Sequence, residues 1–163
     1  MRRLDLPAHL DPEGPLDRDE PGSPCGSAPG NDVGSMSLLE RARAGLDRLT
    51  PAQALAEQRT GALLVDVRTR AHRAAAAEVP GALAIDLTVL PWRLDPTFGH
   101  RIPEATGWHL RWILLCRHGY SSSLAAWNLR QMGLSRATDV VGGYEAWAAA
   151  GLPVTDAPAD ERP

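Results

Sequence analysis

Four short apolar runs, separated by helix-like patterns, restrict what this chain can fold into more than any other feature. They are ALLVDV (62–67), ALAID (82–86) after the turn at Pro80 and Gly81, WILLC (112–116) and ATDVV (137–141). None of them alternates cleanly between apolar and polar residues, so each suits a strand buried on both faces, as parallel sheets require. Between and after them lie a helical segment at 70–76, SSLAAWNLRQM ending at Gly133, and YEAWAAA ending at Gly151. A glycine just past the last periodic residue is a common helix stop. Strands alternating with helices predict an α/β fold with a mainly parallel central sheet flanked by helices on both faces. No internal repeat competes with that reading.

Upstream of the first strand the composition changes twice. Residues 1–35 carry Pro7, Pro12, Pro15, Pro21, Pro24 and Pro29 among glycines and charges. Such a segment buries too little apolar surface to offset the entropy of ordering, and it is expected to be disordered. Residues 36–49 place Leu38, Leu39, Ala42, Leu46 and Leu49 at helical spacing, which predicts an amphipathic helix. Thr50 then reads as an N-cap, with Pro51 at the first helical position and Gly61 as the stop. The main domain is expected over 50–154, followed by a disordered tail at 155–163.

The remaining composition mostly excludes. A formal net charge of -3 offers no basic footprint for nucleic acid. No apolar run approaches the roughly 20 residues that cross a bilayer, and the charged N-terminus has no apolar stretch after it. The expectation is a cytoplasmic chain with no membrane partner and with Cys25 and Cys116 as free thiols. His9, His100 and His109 lack the close spacing of a metal site, so no metal is expected. Trp108, Trp112, Trp127 and Trp147 are expected to pack in or near the core. All 17 basic residues are arginine, which carries no functional weight.

The chemistry gathers in CRHGYSS (116–122). In open α/β sheets ligands bind beyond the carboxyl ends of the strands, and Cys116 stands at such an end, ahead of a loop and a helix. Backbone amides of 117–122 can curl around the sulfur, and the helix start adds a positive dipole end, so an anionic sulfur is favoured. Gly119 permits a tight turn. Arg117 and His118 add charge beside it. A strand-end cysteine is also often a plain small hydrophobe, with Ser122 or Ser123 merely capping the helix.

The loop resembles the active-site loop of the rhodanese-like family of single-domain sulfurtransferases: cysteine, two variable residues, glycine, one variable residue and a small hydroxyl residue. LLVDVR and VPGALAID resemble that family's upstream motifs, and VVGGYEAWAAAGLPV its closing motif. The resemblance implies a rhodanese-like fold and sulfur transfer from thiosulfate or a related donor to cyanide or a thiol, through a persulfide on Cys116. It implies Arg117, His118, Gly119, Tyr120, Ser121 and Ser122 as the substrate-binding loop. Asp66 would give structural support, and Arg68 would either reach the anion or pair with Asp66. No cofactor is implied; the partners would be a small sulfur donor and a thiol or cyanide acceptor, including a thiol-bearing protein. Two departures stand out: Ala77-Glu78 replaces the usual Gly-His, and His72-Arg73 the usual acidic-aromatic pair. They motivate an alternative, a binding or sulfide-sensing module with little turnover. Trp92 and Arg93 in VLPWRLDP are candidate rim residues. A cysteine phosphatase shares the strand-loop-helix logic but needs an arginine where this chain has Ser122.

Overall fold

All four apolar runs become strands, each shorter than its run. The computed structural model describes residues 34–163; the expectation for 1–35 falls almost wholly outside the described residues, as does Cys25. The strands are β1 (Leu63–Asp66), β2 (Leu83–Ala84), β3 (Trp112–Leu115) and β4 (Thr138–Asp139), with a further pair, β5 (Asp160–Glu161). The sheet order is β4-β3-β1-β2-β5 and every pairing is parallel. All strands therefore end on one edge, where loops can converge.

Successive side chains of a strand point to opposite faces, so each face needs its own cover. Val65, Trp112 and Leu114 pack with Leu90, Ala126, Leu129 and Leu134 on one side. Leu64, Ile113 and Leu115 pack with Ala54, Val140, Tyr144 and Trp147 on the other. The first layer uses α4 (Leu90–Leu94) and α5 (Ser121–Met132), the second uses α2 (Pro51–Arg59) and α6 (Gly143–Ala149), and a short α3 (Arg70–Ala74) follows β1. Apolar residues run through each strand because both faces are covered. Trp112 and Trp147 are fully buried, Trp127 is half-buried, and Trp108 is exposed. None of the helices among the described residues is long and apolar enough to cross a membrane.

Helix α2 starts as its sequence predicts. Thr50 accepts a hydrogen bond from the Gln53 amide while the Gln53 side chain accepts from the Thr50 amide, and Pro51 occupies the first turn. The preceding helix is shorter than the apolar spacing predicts: α1 spans Ser35–Ala44. Residues 46–49 instead run beside β4. The Leu49 amide donates to the Asp139 carbonyl at 3.0 Å, and its carbonyl accepts from the Val141 amide at 2.8 Å. A helix would keep those groups for itself, whereas the outer edge of β4 needs partners.

The tail departs from its expectation as well. Residues 155–163 form an antiparallel bridge, Thr155 to Glu78, and then β5 beside β2. The Arg162 amide donates to the Ala84 carbonyl at 2.9 Å. Glu161 pairs with Arg70 and Arg73, and Arg162 with Glu104 at 2.7 Å. An exposed edge strand needs backbone partners rather than an apolar face, so hydropathy gives no sign of it. A chain ending at Pro158 is expected to lose about 1 kcal/mol of stability, the scale of a few exposed ion pairs. Urea unfolding of the shortened and full chains measures this.

Candidate active site

Cys116 follows β3 directly, is 7% exposed and lines a cavity of about 350 Å³. Its sulfur accepts a hydrogen bond from the Gly119 amide at 3.1 Å and lies 3.2 Å from the Ser122 hydroxyl. Helix α5 begins at Ser121, so its N-terminal turn lies beside the sulfur and adds the positive end of its dipole. Arg117, His118, Tyr120 and Ser121 line the cavity from the loop, and Arg68, Thr69, His72, Asp86 and Leu87 from the opposite wall.

A tight loop can show an anion its amides only if its carbonyls are turned elsewhere, and here three of them are bound from outside. The Tyr144 amide donates to the Cys116 carbonyl at 2.8 Å, and the Glu145 amide to the Arg117 carbonyl at 3.1 Å. Both donors belong to the first turn of α6, whose amides have no partners within the helix. The Gly119 carbonyl accepts from Arg43 at 2.7 Å and from the Ser123 hydroxyl at 2.9 Å. This close fit explains the Gly142-Gly143 pair. Gly143 has φ +60, and a Cβ there would stand 2.3 Å from the Cys116 carbonyl. Gly119, at φ +78, would bring a Cβ within 2.9 Å of the Gly142 amide nitrogen.

Behind the sulfur lies a polar network without a sequence signature. The Ser122 hydroxyl donates to Asp139 at 3.0 Å, and the Ser123 hydroxyl approaches the same carboxylate oxygen at 2.8 Å. Asp139 is fully buried and is held by Arg48 through two hydrogen bonds, at 2.7 and 3.0 Å. An aspartate inside an apolar strand pattern gives little warning of such a role.

The flanking charges are arranged in pairs. Arg68 grips Asp66 through Nε at 2.9 Å and Nη2 at 2.7 Å, and its own amide also donates to Asp66. The guanidinium lies over the Tyr144 ring, 3.8 Å from its centroid. Arg68 thus pairs with Asp66 and also lines the cysteine cavity. Arg117, half-exposed, donates from Nε to Glu145 at 2.9 Å, and that hydrogen bond holds the Glu145 carboxyl below its ordinary pKa. The two departures from the family pattern meet in space: Arg73 Nε lies 3.5 Å from Glu78. Trp92 is exposed, Arg93 donates to the His100 carbonyl at 2.6 Å, and neither lines the cysteine cavity.

A parallel sheet whose third strand delivers a cysteine into a tight loop, with the Gly119 amide and the Ser122 hydroxyl on the sulfur and a glycine pair and helix start closing the back, defines a class of α/β domains with a cysteine loop at a strand end. The family model for the rhodanese-like domain matches residues 50–150, and the chain belongs to that family. It is 31% identical over 103 residues to the thiosulfate sulfurtransferase GlpE of Stutzerimonas stutzeri, covering 61% of this chain and 83% of that protein. It is 36% identical over 85 residues to the maize adenylyltransferase and sulfurtransferase MOCS3-2. That match covers 52% of this chain but spans only 17% of the maize protein's length. A solved Rhodopseudomonas palustris structure, of a protein of unknown function described as a possible tyrosine phosphatase, superposes with a TM-score of 0.69 at 26% identity. It covers 80% of this chain and 100% of that one.

Gly143→Ala is expected to cost about 2 kcal/mol or more, because the methyl group collides with backbone rather than with a movable side chain. Gly151→Ala is the control: its φ is +65 with nothing within 4 Å, so only the conformational cost of about 1 kcal/mol applies. Urea titration of the two variants separates collision from strain.

Proposed function

We propose that this chain is a sulfurtransferase that carries sulfane sulfur on Cys116. The observation that carries the reading is the environment of the sulfur, which faces an amide and a hydroxyl while the neighbouring loop carbonyls are bound outward. Such a cradle suits a thiolate and equally a terminal persulfide anion. The names of relatives point the same way: one is a thiosulfate sulfurtransferase and another includes a sulfurtransferase.

The reaction runs as two displacements. The Cys116 thiolate attacks the outer sulfur of thiosulfate or a related donor; the sulfur-sulfur bond breaks, its electron pair leaves on sulfite, and a persulfide remains on Cys116. Cyanide or a thiol, including one on a protein, then attacks the terminal sulfur. Thiocyanate or a new persulfide departs and the thiolate returns. Gly119 and Ser122 stabilise charge on the reacting sulfur. Arg117 and His118, at the rim with Tyr120 and Ser121, orient the sulfonate. Asp66 fixes Arg68 and with it the wall of the cavity. The reaction needs no metal or organic cofactor, and its acceptor thiols belong to a reducing, cytoplasmic setting.

The likeness to a possible tyrosine phosphatase raises the other chemistry open to a cysteine loop. A phosphatase needs a guanidinium fork six residues after its nucleophile to clamp equatorial phosphoryl oxygens. Ser122 occupies that position here, and behind it is the Asp139 carboxylate, whose charge opposes a phosphate. Arg130, the next arginine along the helix, stands about two turns away.

Incubation with thiosulfate is expected to add one sulfur atom to the intact mass at Cys116, removable by cyanide; Cys116→Ser should gain nothing. Steady-state thiocyanate formation separates an enzyme from a sulfide-sensing module that is modified once. Thiocyanate formation is also expected to exceed Cys116-dependent release from an aryl phosphate. The reverse order would overturn the proposal.

A further inference from the structure

Two of the side chains that bind the cysteine loop lie outside the matched family domain. That match begins at residue 50, whereas Arg43 and Arg48 stand ahead of it. Arg43 donates from Nη2 to the Gly119 carbonyl at 2.7 Å and from Nε to the Ser123 hydroxyl at 3.1 Å. Arg48 holds Asp139 and also reaches the Gly119 carbonyl at 3.3 Å. Neither arginine lines the cysteine cavity; both approach the loop from behind. The stretch that carries Arg48 is sewn to β4: Thr138 donates to the Asp47 carbonyl at 3.1 Å, and Leu49 bonds Asp139 and Val141 through its backbone.

We propose that Arg43 and Arg48 are positioning residues for the Cys116 sulfur, holding the Gly119–Tyr120 peptide and, through Asp139, the Ser122 hydroxyl. The proposal deepens the sulfur-carrier reading of the same site and takes Cys116 as its reacting group.

Two steps of reasoning lead there. A trans peptide directs its C=O and N–H in opposite senses, so anchoring the Gly119 carbonyl on the arginines turns the Tyr120 amide away from them. Gly119, free of a Cβ, would otherwise allow this peptide to flip and present its carbonyl to an anion. The second step counts protons. Ser122 has a single hydroxyl proton and lies within reach of both the sulfur and Asp139. While Cys116 is a thiol, its S–H donates to Ser122, which donates to Asp139. Once the sulfur is charged, the hydroxyl proton turns toward it, and the buried carboxylate loses a donor. The two hydrogen bonds from Arg48 keep Asp139 satisfied through that change, while the Ser123 proton stays on the Gly119 carbonyl.

Other charged or titratable groups also face the site: Arg117, His118 and Tyr120 on the loop, Asp66 at the end of β1 with Arg68 and His72 after it, Asp86 after β2, and Glu145 on α6. A test must separate the two arginines from these. The full chain carrying Cys25→Ser, so that Cys116 alone reacts, is alkylated with neutral iodoacetamide across a pH series. Arg43→Gln is expected to move the profile to higher pH by about half a unit or more, since a positive group and an anchored dipole are lost. Arg43→Lys should recover part of the shift. The paired change Arg48→Gln with Asp139→Asn removes the network without stranding a buried charge and should slow alkylation at every pH. Arg41→Gln, on the exposed side of α1, serves as the surface-charge control and should match the parent. With thiosulfate, Arg43→Gln is expected to lower kcat about tenfold while KM stays near the parent value, because the arginine stands behind the loop.

Profiles for Arg43→Gln and the paired variant that coincide with the parent would overturn the proposal, as would an equal shift in Arg41→Gln. The two readings fail separately. A parent that moves no sulfur but shows the expected alkylation shifts loses the transfer reading and keeps the positioning; a parent that turns over with unshifted variants does the reverse.

Discussion

A loop that turns an amide onto a sulfur has to dispose of its own carbonyl oxygens, and the arrangement around Cys116 follows from that requirement. The Cys116 and Arg117 carbonyls are taken by the first free amides of α6, which only a helix start can offer in this way. For α6 to begin there, its backbone must pass within contact of Cys116, which excludes a side chain at Gly143. The parallel sheet brings the two ends together: β3 and β4 are neighbours in register, so residues 116 and 142–143 emerge on the same edge. Fold and cradle are thus one construction, in which the glycine pair joins the helical layer to the loop.

The fold was legible because burial on both faces writes itself into the strands as unbroken apolar runs. Helix α2 was legible from local chemistry, since Thr50, Pro51 and Gln53 interact within a single turn. The cysteine and its glycine were legible because the loop is contiguous. Arg43, Arg48 and Asp139 were not. The two arginines reach residues 71 to 91 positions away, and nothing local marks an arginine on an amphipathic helix as bound to a distant carbonyl. The same holds for the break of the predicted 36–49 helix after Ala44 and for β5, since both answer to the open edges of the sheet.

The two departures from the family motifs illustrate a different kind of illegibility. Read separately, Arg73 and Glu78 each remove a group that the resemblance implies. In the folded chain they face each other across the turn that leads into β2, and the Arg73 guanidinium also donates to the Arg68 carbonyl at 2.7 Å. A basic and an acidic residue have taken up compatible positions around the Asp66–Arg68 pair, so the wall of the cavity is held by charge pairing although the residue types differ.

The depth of the sulfur has a consequence for association between copies of the chain. A disulfide demands sulfur atoms about 2 Å apart, with their Cα atoms within about 7 Å. Cys116 is 7% exposed and lines a cavity walled mainly by the loops that follow β1, β2 and β3. Two such cavities would have to part the loops that line them before their sulfur atoms came that close. Burial of the sulfur therefore works against a Cys116–Cys116 crosslink between copies and favours groups narrow enough to enter the cavity.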